Sequence, residues 1–220
     1  SGRVTENTRV RVSENAWRHG AMSDGSHMFL EINSEVRIGD LMRSIIIISA
    51  NDACVALAEG LSGPEEAFAT EMNRRAGELG LRSARFRNVT GLPDPEHVIS
   101  AADLARLTRH LIRAYPDIYR LYSQRDFTFN NRTQENRNPL LGAFTGADGV
   151  KTGHTSDSGY GLVGSAVLDG QRRIIVFNGT RSMAERRSEA ERLMRSAFYD
   201  YEIVRLAAAN APVGEAKVWL

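Results

Sequence analysis

Gly149-Val150-Lys151-Thr152-Gly153-His154-Thr155, then Tyr160-Gly161-Leu162-Val163-Gly164-Ser165-Ala166-Val167-Leu168-Asp169-Gly170, then Arg173-Ile174-Ile175-Val176-Phe177, is the stretch on which the fold turns. The 160–168 run is rich in Gly, Val and Leu, and 173–177 is β-branched. Both compositions suit strands on a half-buried pleated surface. Asp169-Gly170 between them accepts the positive φ angles of a two-residue hairpin, so the two runs should pair antiparallel. Directly downstream, Ser182-Met183-Ala184-Glu185 is a capping box. It opens an amphipathic helix with Leu193, Met194, Ala197, Phe198 and Tyr201 on its apolar stripe.

Upstream, the period changes from strand to helix. Ile38, Leu41, Met42, Ile45 and Ile48 share one helix face over 36–48. The four isoleucines 45–48 would also suit a buried strand, but the spacing favours helix. Asn51–Leu61 is Ala-rich and reads as a second short helix. Ser62-Gly63-Pro64-Glu65 starts a third, with Pro near the first turn, the stripe Phe68, Met72, Ala76 and Leu79, and Gly80 as its stop. Ser100-Ala101-Ala102-Asp103 resembles a capping box and opens a helix carrying Leu104, Leu107, Leu111 and Ile112, closed by Tyr115-Pro116. Arg125–Phe129 alternates and reads as a strand. Helices first, then an antiparallel sheet, then a helix across it, make an α+β domain over 1–202. Residues 203–220 have another texture and read as the start of a small β-rich second domain.

The chain has 220 residues, 42% of them apolar and 25% charged, which excludes disorder as the main state. No apolar run approaches the roughly 18 residues of a membrane span. The net charge of +1 argues against a nucleic-acid partner, which would call for a large basic excess. The one cysteine, Cys54, allows no intrachain disulfide and no Cys-based zinc site. His19, His27, His97 and His110 are scattered, so no metal or cofactor is expected. Only two of the 28 basic residues are lysines, Lys151 and Lys217, so each lysine is conspicuous.

Two places can carry chemistry. In Ser49-Ala50-Asn51, a hydroxyl and a carboxamide two residues apart sit at a helix junction and can face one cleft. In Lys151-Thr152-Gly153-His154-Thr155, a rare lysine lies on a strand, where its point charge suits a carboxylate. Gly153 leaves room for a ligand to approach the strand edge. Either tripeptide alone is common. The two together, about 100 residues apart in this order and with the second feeding a hairpin, are not.

The pair resembles the second and third motifs of the penicillin-binding proteins and serine β-lactamases. The flanking residues Asn51-Asp52-Ala53-Cys54-Val55-Ala56, Met72-Asn73, Gly91-Leu92, Phe127-Thr128-Phe129-Asn130, Asn136-Arg137-Asn138 and Asp148-Gly149-Val150 narrow it. With them the chain is similar to the low-molecular-mass D-alanyl-D-alanine carboxypeptidases from about Val10 to Tyr201. The resemblance implies a β-lactamase/transpeptidase-like α+β domain and an exported, periplasmic or cell-envelope enzyme of peptidoglycan synthesis, cell-wall biogenesis and cell shape. It implies a serine peptidase that removes the terminal D-alanine from stem peptides through an acyl-enzyme and is inhibited by β-lactams. In that family Ser49 would relay a proton to the leaving amine and Asn51 would hold a substrate amide carbonyl. Lys151 would lower the pKa of Ser49 and attract the substrate carboxylate, with Thr152 and Arg137 helping to bind it. Gly153 would admit the substrate, and the His154 N–H would form half of an oxyanion hole. Arg181 or Arg186 would assist.

The chain departs from the family in one respect. Neither lysine follows a serine by three positions, so the nucleophile motif Ser-x-x-Lys is absent from these residues. The expectation is a chain cut downstream of the nucleophile helix and inactive alone, with Ile38–Ile48 and the Cys54–Leu57 face left uncovered. Many members also carry a C-terminal anchor, absent here, that would give peripheral membrane association. Two alternatives stand beside this reading. A class A-like β-lactamase would need a Glu-x-x-Leu-Asn that Glu71-Met72-Asn73 does not match. The other is a non-catalytic module that binds peptidoglycan or β-lactams.

Overall fold

The computed structural model describes residues 4–22 and 25–201, together with 204, 206–208, 210–212 and 214. Most of 203–220, with Lys217 and the expected β-rich second domain, lies outside the described residues.

The chain opens with β1 (Arg9–Arg11), which pairs antiparallel with β2 (Glu35–Arg37) and turns Val10 and Val36 inward. Between them runs α1 (Glu14–Ala21), capped by the Ser13 hydroxyl, which accepts from the Ala16 N–H. Next come α2 (Ile38–Ile48), α3 (Asn51–Ser62), α4 (Glu65–Glu78) and α5 (Ala101–Ala114), all where the sequence pattern places helices. The short α6 (Pro116–Tyr119) continues into a 3₁₀ turn (Arg120–Ser123), and β3 (Asp126–Phe129) pairs with β4 (Arg132–Glu135). The main sheet is antiparallel in the order β5 (Ala147–Thr155), β6 (Gly159–Leu168), β7 (Gln171–Thr180). Its hairpin closes at the Leu168–Gln171 pair with Asp169 at φ 50° and Gly170 at φ 73°, the two positive angles that Asp-Gly supplies cheaply. Finally α7 (Met183–Tyr199) packs across β6 and β7.

Two apolar cores result. One gathers α2 and α3 against Val12, Met28, Leu30, Leu121 and Phe127. The other sets Ala190 and Met194 of α7 on Leu162, Ala166 and Ile175 of the sheet. The expectation that Ile38–Ile48 would lie uncovered fails for most of its side chains. Ile38, Leu41 and Ile46–Ile48 are each at most 7% exposed, and only Met42 and Ile45 are left half-buried. The cover comes from the chain itself, because α3, β2, the 3₁₀ turn, β3 and β4 pack around α2. On α3, Val55 and Ala56 are buried, while Cys54 and Leu57 are half-buried.

The two capping motifs work on one side only. Ser182 and Ser100 accept from the N–H groups of Glu185 and Asp103 as expected. The Glu185 carboxylate, however, accepts from the Arg181 N–H, one residue before the cap. Asp103 turns to Ser83, accepting from its hydroxyl at 2.6 Å and its N–H at 2.8 Å, and also pairs with Arg106. Those bonds, the Ser83 hydroxyl foremost, lower its pKa to about 2. They pin the 82–99 loop to the start of α5.

Candidate active site

The helix junction is sharper than a loop. Ser49 ends α2 in the left-handed region, at φ 63° and ψ 41°, and α3 begins two residues later at Asn51. A non-glycine residue held there costs about 1–2 kcal/mol, so its surroundings must over-determine it. Much of that hold comes from Asp52. Its fully buried carboxylate accepts from the N–H groups of Met28, Leu30 and Ala53 at 2.9–3.2 Å. The Asn51 N–H meanwhile donates to the Ser26 carbonyl at 2.7 Å. The 26–30 segment is thereby strapped to the turn.

Across from the junction lies β5, an edge strand of the three-stranded sheet. Between the two opens a cavity of about 750 Å³. Ser49 and Asn51 line one side of it, and Lys151, Thr152, Gly153 and His154 the other. Arg137, from the loop after β4, lines it too and donates to Ser26 Oγ at 2.6 Å. All seven residues expected at a site therefore face one space. A Cβ added to Gly153 would meet no atom within 4 Å, so the strand edge is open there to a ligand. His154 stacks on Tyr160 with ring centroids 3.9 Å apart.

The cavity is electropositive. Lys151, Arg137 and Arg186 line it, and among the described residues no Asp or Glu does. Arg186 was one of two alternatives from sequence, and the structure separates them. Arg181 is 89% exposed, pairs with Glu185 and lies off this cavity. Arg186 is 5% exposed, sits 5.5 Å from the Tyr160 ring centroid, and has a buried Nε with no partner among the described residues. Burial and, next, the positive charge of Arg137 lower the pKa of Lys151 to about 8. Its Nζ donates to the Thr152 carbonyl at 3.0 Å. Cys54 adjoins it from α3, its thiol pushed up to about 12 by burial. Such a site takes an anionic, extended ligand with amide groups to satisfy, laid along the open edge of β5.

Sequence reading missed several lining residues. Ser26 sits in a segment without periodicity, Asn178 falls just past the 173–177 run, and Tyr160 reads only as a strand position and Met183 only as a helix start. Thr90–Pro93 reach the cavity because Asn88 Oδ1 accepts from the N–H groups of Thr90 and Gly91 and turns the loop inward. Glu71, the nearest approach to a β-lactamase acid, lies on α4 paired with Arg74, away from this cavity.

Comparison with known proteins places the whole arrangement. The family model described as D-alanyl-D-alanine carboxypeptidase matches residues 1–181. The chain belongs to the D-alanyl-D-alanine carboxypeptidase family. It is 40% identical over 223 residues to the D-alanyl-D-alanine carboxypeptidase DacD of Escherichia coli (strain K12), covering 100% of this chain and 57% of that protein. Penicillin binding protein 5 from Haemophilus influenzae superposes with a TM-score of 0.86 at 41% identity, covering 90% of this chain and 58% of that one. Penicillin-binding protein D2 from Listeria monocytogenes, solved in an ampicillin-bound form, gives a TM-score of 0.76 at 28% identity over 89% of this chain and 78% of that one. The expected α+β fold of the penicillin-binding proteins is thus the fold this family member has. The chain spans a little over half the length of the curated carboxypeptidases it matches.

Proposed function

We propose that the cavity is the substrate cleft of a serine-type D-Ala-D-Ala carboxypeptidase acting on peptidoglycan stem peptides in the periplasm or cell envelope. The observation that carries this reading is that Lys151, Arg137, Arg186, the hydroxyls of Ser49 and Thr152 and the carboxamide of Asn51 converge on the open edge of β5 without an opposing carboxylate among the described residues. A peptide ending in a free carboxylate satisfies that set. Lys151, Thr152 and Arg186 take the carboxylate, and Arg137 supports them. Asn51 donates its amide N–H to the carbonyl of the preceding peptide unit. The His154 N–H faces the oxygen on which charge develops during acyl transfer. Ser49, on the opposite side, passes a proton to the leaving amine. Lys151, with its pKa near 8, stands close enough to neutrality to take part in that transfer. β-Lactams carry the same carboxylate and amide and would occupy the same cleft; the Listeria protein was solved in an ampicillin-bound form. The chemistry needs no cofactor.

These 220 residues hold no Ser-x-x-Lys. They are therefore expected to bind an acyl-D-Ala-D-Ala peptide reversibly and to form no stoichiometric penicillin adduct. Calorimetric titration with that peptide, its C-terminal amide and its L-Ala-L-Ala analogue tests the reading. Binding should be confined to the free D,D-acid. Equal affinity for the amide, or a stoichiometric penicillin adduct on Ser49 by mass spectrometry, would overturn the assigned roles.

A further inference from the structure

The pairing of β5 with β6 shifts register once, three residues before Lys151. Ala147 pairs with Ala166 and Gly149 with Ser165, so Asp148 is an extra residue between successive pairs, a β-bulge. Beyond it the ladder is regular, with Val150 opposite Gly164, Lys151 opposite Val163 and Thr152 opposite Leu162. Because side chains alternate along a strand, one residue more or less at this point would exchange the faces of everything downstream. Val150, 5% exposed, would leave the core, and Lys151 would leave the cleft.

The bulge is held from three elements. Arg172 of β7 grips the Asp148 carboxylate with both nitrogens, Nη1 to Oδ1 at 2.9 Å and Nη2 to Oδ2 at 2.7 Å. The Tyr119 hydroxyl of α6 donates to Oδ1 at 2.9 Å. The same Arg172 Nη1 donates to Ser165 Oγ at 2.6 Å, and Ser165 is the fully buried residue of β6 opposite Gly149. The Arg172 guanidinium lies 5.4 Å from the Tyr119 ring centroid. Burial raises the Tyr119 phenol well above its ordinary pKa, so it remains a donor. A Cβ on Gly149 would come within 2.8 Å of the Tyr119 oxygen and 3.3 Å of Tyr122 Cβ, so the strand is pressed close against this segment. None of these clamp residues lines the cleft.

We propose that Asp148, Arg172 and Tyr119 are positioning residues that lock the β5 bulge and thereby fix the direction in which Lys151 enters the cleft. The consequence for activity rests on the cleft reading above, but the placement of Lys151 does not, and the test reads that placement directly. With only two lysines in the chain, 13Cε-lysine labelling gives two resonances, and Lys217→Arg assigns them. The groups facing Lys151 are Arg137 of the loop after β4, Arg186 of α7 and Cys54 of α3, and none of them belongs to the clamp.

If the clamp positions Lys151, Arg172→Gln and Asp148→Asn should both release it towards water. Its midpoint should then climb from about 8 by about one pH unit or more. A direct field effect would instead move the two variants in opposite directions, because one removes a positive charge and the other a negative one. Tyr119→Phe changes no charge and should give a smaller rise. Arg172→Lys, which keeps the charge but loses the fork, should fall between wild type and Arg172→Gln. A clamp that served stability alone would lower the unfolding midpoint and leave the lysine titration unmoved. The proposal is overturned if the folded variants titrate at the wild-type value or below it, or if Arg172→Gln and Asp148→Asn shift oppositely. Should those two fail to fold, an unchanged midpoint in both Tyr119→Phe and Arg172→Lys overturns it equally.

Discussion

The two sides of the cleft are built by different physics. The helical side, Ser49 to Asn51, is held from within. Its strained turn sits between helices whose buried faces are closed by aliphatic packing, and its one key polar group, Asp52, is fully buried with three backbone partners. The strand side, Asp148 to Thr155, is held from its flank by an ion pair about 30% exposed, and its lysine is tuned by burial and then by the positive charge of Arg137. Buried bonds to the backbone place atoms and are little screened by salt. Half-exposed charges adjust potential and are screened by it. On the proposed mechanism, a site that holds a hydroxyl still while moving protons has a use for each kind.

The contrast is tested first, and with the largest effect, by truncating one carboxylate on each side. Asp52→Ala strands the buried N–H groups of Met28 and Leu30 and should cost about 3–5 kcal/mol in urea unfolding. Asp148→Ala, whose charged partner Arg172 keeps access to water, should cost only about 1–2 kcal/mol. Equal losses would erase the distinction between the two sides.

Acidity probes the strand side alone. The folded state holds the Lys151 pKa down near 8, against 10.5 for an ordinary lysine. Between those values the unfolded chain binds the extra proton, so stability should rise with pH over that window and lie flat with respect to this group below it. Affinity for a carboxylate ligand should move the other way, falling by up to about tenfold per pH unit above 8 as the cation is lost. Affinity that stays constant from pH 7 to 9.5 would remove Lys151 as the carboxylate's counter-charge.

The smallest effect isolates the strain on the helical side. Ser49→Gly removes the Cβ that resists φ 63° and should stabilise the fold by about 1 kcal/mol while ligand binding declines. A loss of stability on thermal unfolding would show that the Ser49 side chain supports the turn instead of straining it.

The sequence by itself determined the longer elements and pointed to residues that the fold gathers at one cavity. Local rules act over a few residues, and they suffice for the Asp169-Gly170 hairpin, the amphipathic stripes, the serine caps and the motif residues Ser49, Asn51 and Lys151–His154. β1, β2, β4 and α6 escaped because three or four residues carry too little period to read, and the two turns of α1 were not read as a helix either. The second half of each capping box was misread because Asp103 and Glu185 found partners that lie outside the box. Only the tertiary structure decided that Arg186 and not Arg181 faces the cleft, since both occupy the same helix start and differ in which neighbour covers them. It also decided that α2 finds its cover within these residues, and that an extra residue at Asp148 sets the phase of the strand carrying Lys151. A bulge is a relation between two strands, and the clamp that holds it joins residues up to 53 positions apart in the chain. No window of sequence contains either.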